Sequence, residues 1–586
     1  MKRAVVLGLL SVAAASALPA RAVQGDSDPI LDGLATELDR NMNGLSLASL
    51  GKPYFLSYWV RDQREVTVQA TLGSLTHSGD VRARQARVDL RVGDPTLDNS
   101  GFFGKERLFT APPLVELPID DDPLAIRRVL WFQTDRLYKA AAQTLESKKA
   151  YLAQKMGELR SPDFSLEPAR VRLDPPAPEA TIPVTEWESR VRDISAIMRR
   201  YPLIQESDVI YFRRDRTERL VTSEGTRVRT ADTSYGLEVS VEARAADGLS
   251  VTDFEVIYGD ALDKGLPQFT EAVERMCKRV SDRTHVPIAD EYLGPVLLED
   301  QAACEYIGQV FAPAVAGDKT PIYEDERYNA RYQGPLLANR LNRRVLPVFL
   351  SAVDDPAAVQ VAGTKLQGHF EVDQEGVPPQ KVTLVDKGIL KGLLMTRAPH
   401  EKIAHSNGHA RAESGLPGAR TSNLIIGNAD PKSRKELREQ LLDLVKSQEL
   451  PYGIVIKKLN DELLESRSGS GGSVTAPVDV VRLYPDGREE EVRGFYWGDV
   501  SIRMLRDILA AGDKPYVYNY YQSGRGGTVL TSIASPALLL DEVELKATDR
   551  SQDKPPILES PLSIVVREGG NGGAKEEHRE KEPTHE

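Results

Sequence analysis

The hydrophobic pattern of this chain changes near residue 290, and this change sets the limits on its fold. Upstream, stretches with helical spacing of apolar residues alternate with segments in which apolar and polar residues take turns. Downstream, short apolar runs are separated by Gly, Pro and Asp, which is typical of β-rich domains. The chain has 586 residues, too many for one hydrophobic core. The sequence therefore predicts an α+β protein, with an α/β N-terminal half followed by a β-rich C-terminal domain.

The spacing of apolar residues predicts individual helices and strands within this architecture. In 83–92, apolar residues at 88, 90 and 92 alternate with charged residues at 87, 89 and 91, which predicts a strand with one face on the core and one in water. Helices are predicted over 27–43, 123–155, 186–201, 266–282 and 435–448, further strands over 54–60 and 65–72, and hairpins over 382–395 and 480–492. The predicted organisation is a signal peptide at 1–22, an α/β region at 23–160, a proline-rich connector at 161–184, a second α/β region at 185–289, a β-rich domain at 290–566 and a disordered tail at 567–586.

The N-terminus has the pattern of a cleavable signal peptide. Lys2 and Arg3 precede an apolar run over 4–19, and Ala20-Arg21-Ala22 supplies the small residues after which a signal peptidase cuts. The run is shorter than the ~20 apolar residues of a membrane-spanning helix. We therefore expect cleavage after Ala22 and a periplasmic or secreted protein without stable membrane insertion. The alternative is an uncleaved N-terminal anchor.

Charge and cysteine content exclude some functions. The formal net charge is −12, and an acidic protein repels the phosphates of nucleic acids, so no nucleic-acid partner is expected. Cys277 and Cys304 are the two cysteines of the chain. They allow one optional disulfide, which does not make a disulfide-built scaffold.

Several short sequence blocks follow one another through the C-terminal half. They are 294–298 (GPVLL), 373–380 (DQEGVPPQ), 385–392 (VDKGILKG), 407–414 (NGHARAES), 417–423 (PGARTSN), 484–488 (YPDGR) and 492–494 (VRG). In this order the blocks resemble the TldD/PmbA family, the "modulator of DNA gyrase" metallopeptidases. The resemblance implies an α/β first half, a β-rich second half that carries the active site, and dimers that enclose a cleft for unfolded peptides. Expected export argues against direct action on DNA gyrase.

The metal motif of that family is altered in this chain. Active members carry His-Glu-x-x-x-His on a helix, and a Cys from the C-terminal region completes the zinc ligands. The corresponding stretch here is Cys304-Glu305-Tyr306-Ile307-Gly308-Gln309, and no Cys follows residue 304. The resemblance thus implies that Glu305 is a remnant of the general base, while Cys304 and Gln309 replace the two histidines. Because a neutral amide is a poor zinc ligand, no cofactor is expected.

Four other polar residues of the C-terminal half are candidates for binding a peptide: Arg411, Arg420, Arg493 and His409. A guanidinium group can bind a peptide carboxylate or carbonyl groups of the backbone. The alternative for the three arginines is a structural role in salt bridges.

Three hypotheses on function follow. In the first, the chain is an exported family member without a zinc site that binds a peptide or unfolded protein segment, as a homodimer or as a heterodimer with a TldD-like homologue. In the second, it is an active metallopeptidase with an altered zinc-ligand set, using Cys304 and a histidine among 369, 400, 405 and 409. In the third, it is a structural protein of the cell envelope.

Overall fold

The computed structural model describes residues 28–46, 51–104, 114–155, 161–178, 181–329, 336–460, 474–523, 526–548, 556 and 558–563. The expected signal peptide at 1–22 and the expected tail at 567–586 lie outside the described residues. Within these ranges, no helix combines the length and the apolar character that crossing a bilayer requires.

The first half of the chain consists of long strands and the helices that pack on them. Its elements are α1 (Pro29–Gly44), β1 (Pro53–Thr71), β2 (Ser74–Val92), β3 (Phe102–Phe103), β4 (Val115–Leu117), α2 (Pro123–Gln154), β5 (Val171–Leu173), α3 (Val184–Ser195), β6 (Ile204–Thr222), β7 (Arg227–Arg244), β8 (Ser250–Tyr258) and α4 (Asp260–Arg283). The helices predicted for this half are present, but α3 ends at Ser195 and α4 begins at Asp260, each about six residues before the predicted position. The two strands predicted over 54–60 and 65–72 form one strand, β1, because the polar segment between them pairs with β2 and β6.

Strands from both sides of the connector belong to one sheet. In the described part of the chain this sheet has seven strands in the order β4-β2-β1-β6-β7-β5, and β8 pairs with β7. The antiparallel pairing of β1 with β6 joins the two α/β regions. The connector itself contributes β5, which runs parallel to β7.

Helices cover one face of this sheet. Apolar side chains of β1 and β2 form a cluster with α1 and α2, and a second cluster joins β1, β6 and β7 to α3 and α4. The starts of α1 and α2 follow from local sequence, because each has an Asp at the N-cap and a Pro directly after it. Asp28 accepts from the N–H of Leu31, and Asp122 accepts from the N–H groups of Leu124 and Ala125. An Asp side chain satisfies free N–H groups there, and Pro needs none.

The opposite face of the sheet is charged, and the C-terminal half covers it. The expectation that the charged side of 83–92 faces water is wrong, because Arg87 and Arg91 are 4% and 8% exposed. Arg87 donates to Gln374 and to the carbonyl oxygen of Gly415. The sheet therefore has an apolar face under helices and a charged face against the C-terminal loops.

The second half is β-rich. Its elements are β9 (Tyr292–Leu298), α5 (Asp300–Tyr306), β10 (Ile322–Tyr323), α6 (Glu326–Asn329), β11 (Leu350–Asp354), β12 (Gln360–Val361), β13 (Thr364–Lys365), β14 (Val382–Asp386), β15 (Ile389–Leu390), β16 (Ala410–Arg411), β17 (Gly418–Ala419), β18 (Asn423–Asn428), β19 (Pro431–Lys432), α7 (Arg434–Ser447), β20 (Gly453–Leu459), β21 (Pro477–Leu483), β22 (Glu489–Val492), β23 (Phe495–Trp497), β24 (Ile508–Gln522) and β25 (Val529–Ala547). The two predicted hairpins are present as β14–β15 and β21–β22.

The large sheet of this half is built around its last strand. Within the described ranges its main path is β15-β14-β11-β18-β25-β9-β20-β21-β22. β25 pairs in parallel with β18 and antiparallel with β9, β23 and β24. Apolar residues of these strands and of α5 form the main core. The short parallel pair of β3 with β10 links this half to the first.

Candidate functional site

Helix α5 and the π-helical turn after it, Ile307–Phe311, carry the stretch that corresponds to the metal motif. Cys304 is fully buried in the C-terminal core. Its Sγ lies 3.4 Å from the carbonyl oxygen of Tyr516 and 3.6 Å from that of Ile533. Burial raises the pKa of the Cys304 thiol, which disfavours the thiolate, the form that binds metals. Cys277 lies in a different cluster, and both cysteines are free thiols.

The other two residues of the motif fasten α5 to its neighbours. Glu305 Oε1 accepts from Gln301 Nε2 at 2.7 Å, and Oε2 accepts from the N–H of Leu459 at 2.6 Å. Gln309 Nε2 donates to Thr475 Oγ1 at 3.0 Å, while its Oε1 accepts from the N–H of Thr475 at 2.7 Å. The side-chain oxygens of Glu305 and the amide of Gln309 are therefore engaged within the protein.

These residues do not fit the zinc ion of the family. A zinc site needs three or four ligands that converge on one point. The thiol of Cys304 faces carbonyl groups of β24 and β25, whereas the amide of Gln309 faces Thr475. In the part of the chain that the structure describes, no group of three or more His, Cys, Asp or Glu side chains is placed to hold a metal ion.

His409 is completely buried directly before β16. Its Nε2 lies 3.1 Å from Asp354 Oδ1, and its Nδ1 lies 3.0 Å from the backbone oxygen of Asn407. Ser422 also donates to Asp354, through both its hydroxyl and its N–H. A nucleophilic triad requires the imidazole to lie between the serine and the acid, whereas here the acid lies between the other two. These contacts indicate that His409 has a structural role and fixes the loop before β16.

Arg411 and Arg420 lie beside His409, but Arg493 does not belong to this group. Arg411 donates to the carbonyl oxygens of Thr421 and Leu530, both at 2.8 Å, and burial lowers its pKa to about 10. The N–H of Arg420 donates to the carbonyl oxygen of His409. Arg493 instead donates to the carbonyl oxygen of Val286 and pairs with Asp247, so it joins the second α/β region to the C-terminal half.

Sequence reasoning missed Arg397, which connects the connector to both halves. Its Nε and Nη2 donate to the carbonyl oxygen of Ser165 at 3.0 and 2.7 Å, and its guanidinium pairs with Glu224 at 2.7 and 2.8 Å. The guanidinium carbon lies 4.0 Å from the ring centre of Phe164, and that of Arg91 lies 3.9 Å from the same centre. Arg397 is 2% exposed, and only the long-range fold brings its partners together.

Two acidic residues of the block 373–380 lie at the same junction. Asp373 accepts from the N–H groups of Glu375, Val377 and Ala410, and Glu375 Oε2 accepts from the N–H of Arg397 at 2.6 Å. Burial and then the nearby Glu375 raise the pKa of Asp373 to about 8. Burial also raises the pKa of Glu375. In the sequence, these two residues were noticed only as part of the block 373–380 that carries the family resemblance.

A pocket of about 120 Å³ opens at this junction. The charged face of the sheet contributes Arg87 and Arg91, the connector contributes Phe164, and the C-terminal half contributes Glu375 and Arg397. None of the candidate residues named from the family resemblance lines it. We call it the junction pocket.

The raised pKa values predict that stability depends on pH. Because the folded state holds the protons of the Asp373–Glu375 pair more tightly than the unfolded chain does, the contribution of the pair is complete below the unfolded pKa values of about 4. It is lost as pH rises through the folded pKa, about 8 for Asp373. We expect Glu375→Gln to gain on the order of 1 kcal/mol in free energy of unfolding relative to the wild type between about pH 5 and pH 9.

Urea unfolding at a series of pH values measures this difference. Glu439→Gln serves as a control, since Glu439 is exposed on α7. Parallel pH profiles for the wild type and Glu375→Gln would contradict the prediction.

Comparison with known proteins shows a family match in the C-terminal half of the chain. Residues 291–547 match the family described as PmbA/TldA metallopeptidase C-terminal domain. A curated relative named "Metalloprotease", from Archaeoglobus fulgidus, is 24% identical over 283 residues, which cover 47% of this chain and 59% of the relative.

Solved structures match over more of the chain. TldE from Thermococcus kodakarensis matches with a TM-score of 0.53 and 15% identity, over 84% of this chain and 97% of that one. A putative modulator of DNA gyrase from Thermotoga maritima matches with a TM-score of 0.52 and 14% identity, over 84% and 96% of the two chains. These likenesses establish the α+β architecture of both halves.

Proposed function

Since this chain belongs to the TldD/PmbA family and is thus related to metallopeptidases, we propose that it is a peptide-binding or partner subunit without the catalytic zinc site. One observation carries the proposal: the three motif residues at 304, 305 and 309 are committed to contacts inside the C-terminal core. A histidine-to-amide change at 309 also removes a strong ligand type. In this proposal, Glu305 has the structural role of linking α5 to β20 through the N–H of Leu459. Without a zinc-bound water, it has no role as a general base.

The proposed ligand is a peptide or an unfolded protein segment. The proposed assembly is a homodimer, or a heterodimer with a TldD-like homologue that supplies the metal chemistry. The N-terminal pattern over 1–22 supports a location in the periplasm or outside the cell. Recovery of a peptide or of such a homologue with the tagged protein from its own compartment would support these roles. Recovery of neither would favour a structural envelope protein.

Metal analysis of the purified protein tests the loss of the zinc site. We expect far less than one zinc per chain after purification in zinc-containing buffer, and no cleavage of unstructured peptides. We also expect Glu305→Gln to lower stability by about 1–3 kcal/mol, because an amide cannot accept both the Gln301 and the Leu459 hydrogen bond.

Two variants separate this proposal from an altered but active metal site. Stoichiometric zinc together with peptide cleavage that Glu305→Gln abolishes would overturn the proposal. If Cys304→Ser removed both metal and cleavage, Cys304 would be a ligand, as the alternative of an active metallopeptidase requires. A catalytic family member prepared in the same way is the positive control for the assay.

A further inference from the structure

Arg87 brings a positive charge into the junction pocket, and no carboxylate in the described part of the chain forms an ion pair with it. Within the described residues, its guanidinium donates to neutral oxygens: the side chain and backbone of Gln374, at 3.3 and 3.2 Å, and the backbone of Gly415, at 3.1 Å. It also lies 4.6 Å from the ring centre of Trp59. Arg87 is 4% exposed, and burial lowers its pKa to about 10. A charge buried in this way is costly until an opposite charge reaches it.

Glu375 brings the opposite charge into the same pocket. One of its oxygens accepts from the N–H of Arg397, and in the described part of the chain no Lys, Arg or His nitrogen pairs with it. The guanidinium of Arg397 is directed to Glu224 instead. Glu375 therefore has a carboxylate oxygen available toward the pocket, in surroundings that already disfavour its charge.

The other basic side chains of the pocket have acidic partners. Arg91 pairs with Asp89 and Asp98, and both Lys148 and Lys319 pair with Asp163. Arg87 and Glu375 are thus without ion-pair partners in the described structure, while Asp318, a further acidic residue of the wall, accepts from the N–H of Ala419. Arg87 hydrogen-bonds Gln374, the neighbour of Glu375 in sequence, so the two charges enter from adjacent parts of the wall.

We propose that the junction pocket binds a free apolar amino acid, with its carboxylate at Arg87 and its ammonium group at Glu375. A zwitterion matches the two charges without changing the net charge of the pocket. The volume of about 120 Å³ is several times the roughly 10–15 Å³ that one water requires by the same measure. Phe55, Leu220 and Leu416 supply apolar wall for the side chain. The proposal stands independently of the lost zinc site, since the pocket shares no residue with the metal motif.

Calorimetric titration of the full chain tests the match of both charges. The probes are glycine, L-alanine and L-leucine, with acetate and methylammonium as compounds that carry one charge each. We expect saturable binding of one L-leucine or L-alanine per chain, and at least about tenfold weaker binding of either single-charge compound, because each lacks one charge-assisted contact. Acetate binding as tightly as the amino acids would overturn the proposal, as would no binding of any amino acid at millimolar concentration.

Substitutions test whether Arg87 and Glu375 bind the amino acid. Arg87→Gln and Glu375→Gln should each weaken amino-acid binding by at least about tenfold. Arg275→Gln and Glu271→Gln are matched controls, since these residues form an exposed pair on α4, and both should bind as the wild type does. Circular dichroism checks folding. If Arg87→Gln does not fold, Glu375→Gln decides the matter, because it preserves the shape of the side chain, and unchanged binding in that variant would overturn the proposal.

Discussion

Replacing Arg397 with alanine is expected to lower the free energy of unfolding by about 3–5 kcal/mol. The change would leave the carboxylate of Glu224 and the carbonyl oxygen of Ser165 without their donors in a buried region. It would also remove the guanidinium that packs on Phe164. Because the partners of Arg397 come from the connector and from the turn between β6 and β7, the substitution would weaken the contact between the two halves.

Urea unfolding followed by circular dichroism measures the loss, and limited proteolysis shows where the chain opens. We expect new cleavage in the connector near Ser165. Arg275→Ala removes an arginine from an exposed ion pair and should cost less than about 1 kcal/mol. Equal effects of the two substitutions would show that Arg397 does not hold the halves together.

Replacing Asp28 with alanine is expected to cost a similar amount, about 3–5 kcal/mol. Asp28 accepts from Arg219 at 2.8 Å, from Arg229 at 2.9 Å and from the N–H of Leu31 at 3.0 Å. Burial alone would raise the pKa of Asp28, but the Leu31 N–H and the two guanidinium groups hold it below its ordinary value. Without the carboxylate, both arginines would remain buried and the first turn of α1 would lose its cap.

The pH dependence gives this prediction a second test. Because the folded pKa of Asp28 is lowered, its contribution is present above the unfolded pKa of about 4 and is lost as pH falls. The gap between the wild type and Asp28→Ala should therefore narrow in acid. Asp32→Ala is the control on the same helix, since Asp32 pairs with Arg227 at the surface, and it should cost less than about 1 kcal/mol. If the difference in free energy of unfolding between the wild type and Asp28→Ala did not change with pH, the proposed role of the Asp28 carboxylate would be contradicted.

Local sequence was sufficient to predict individual helices and hairpins, but not which distant segments pair or pack with them. The Asp-Pro starts of α1 and α2 and the Gly turns of the C-terminal hairpins depend on neighbours within a few residues, so they could be predicted. The pairing of β1 with β6 depends on segments far apart in sequence, and it turned two expected regions into one sheet. Alternation in 83–92 correctly separated two faces. The alternation could not show that the C-terminal half of the same chain, and not water, covers Arg87 and Arg91.

The same distinction holds for the candidate sites. The family resemblance identified 304–309 as the altered metal motif, because residue types can be compared along a chain. The contacts that engage Gln309 come from Thr475, and those of Arg397 come from Ser165 and Glu224, so no local pattern could reveal them. Asp373 and Glu375 were noticed as part of a block, but their raised pKa values depend on burial at a junction between distant segments.

The position of β25 sets the order in which the chain can fold. The described strands of the N-terminal sheet are complete once residue 258 has been made, whereas the C-terminal sheet lacks its central strand until residues 529–547 have been made. During synthesis we therefore expect the first half to fold early, with its arginine-lined face exposed to solvent until the second half has formed. A chain that stops before β25 would keep that face uncovered, so chaperones and proteases could recognise the unfinished protein by it.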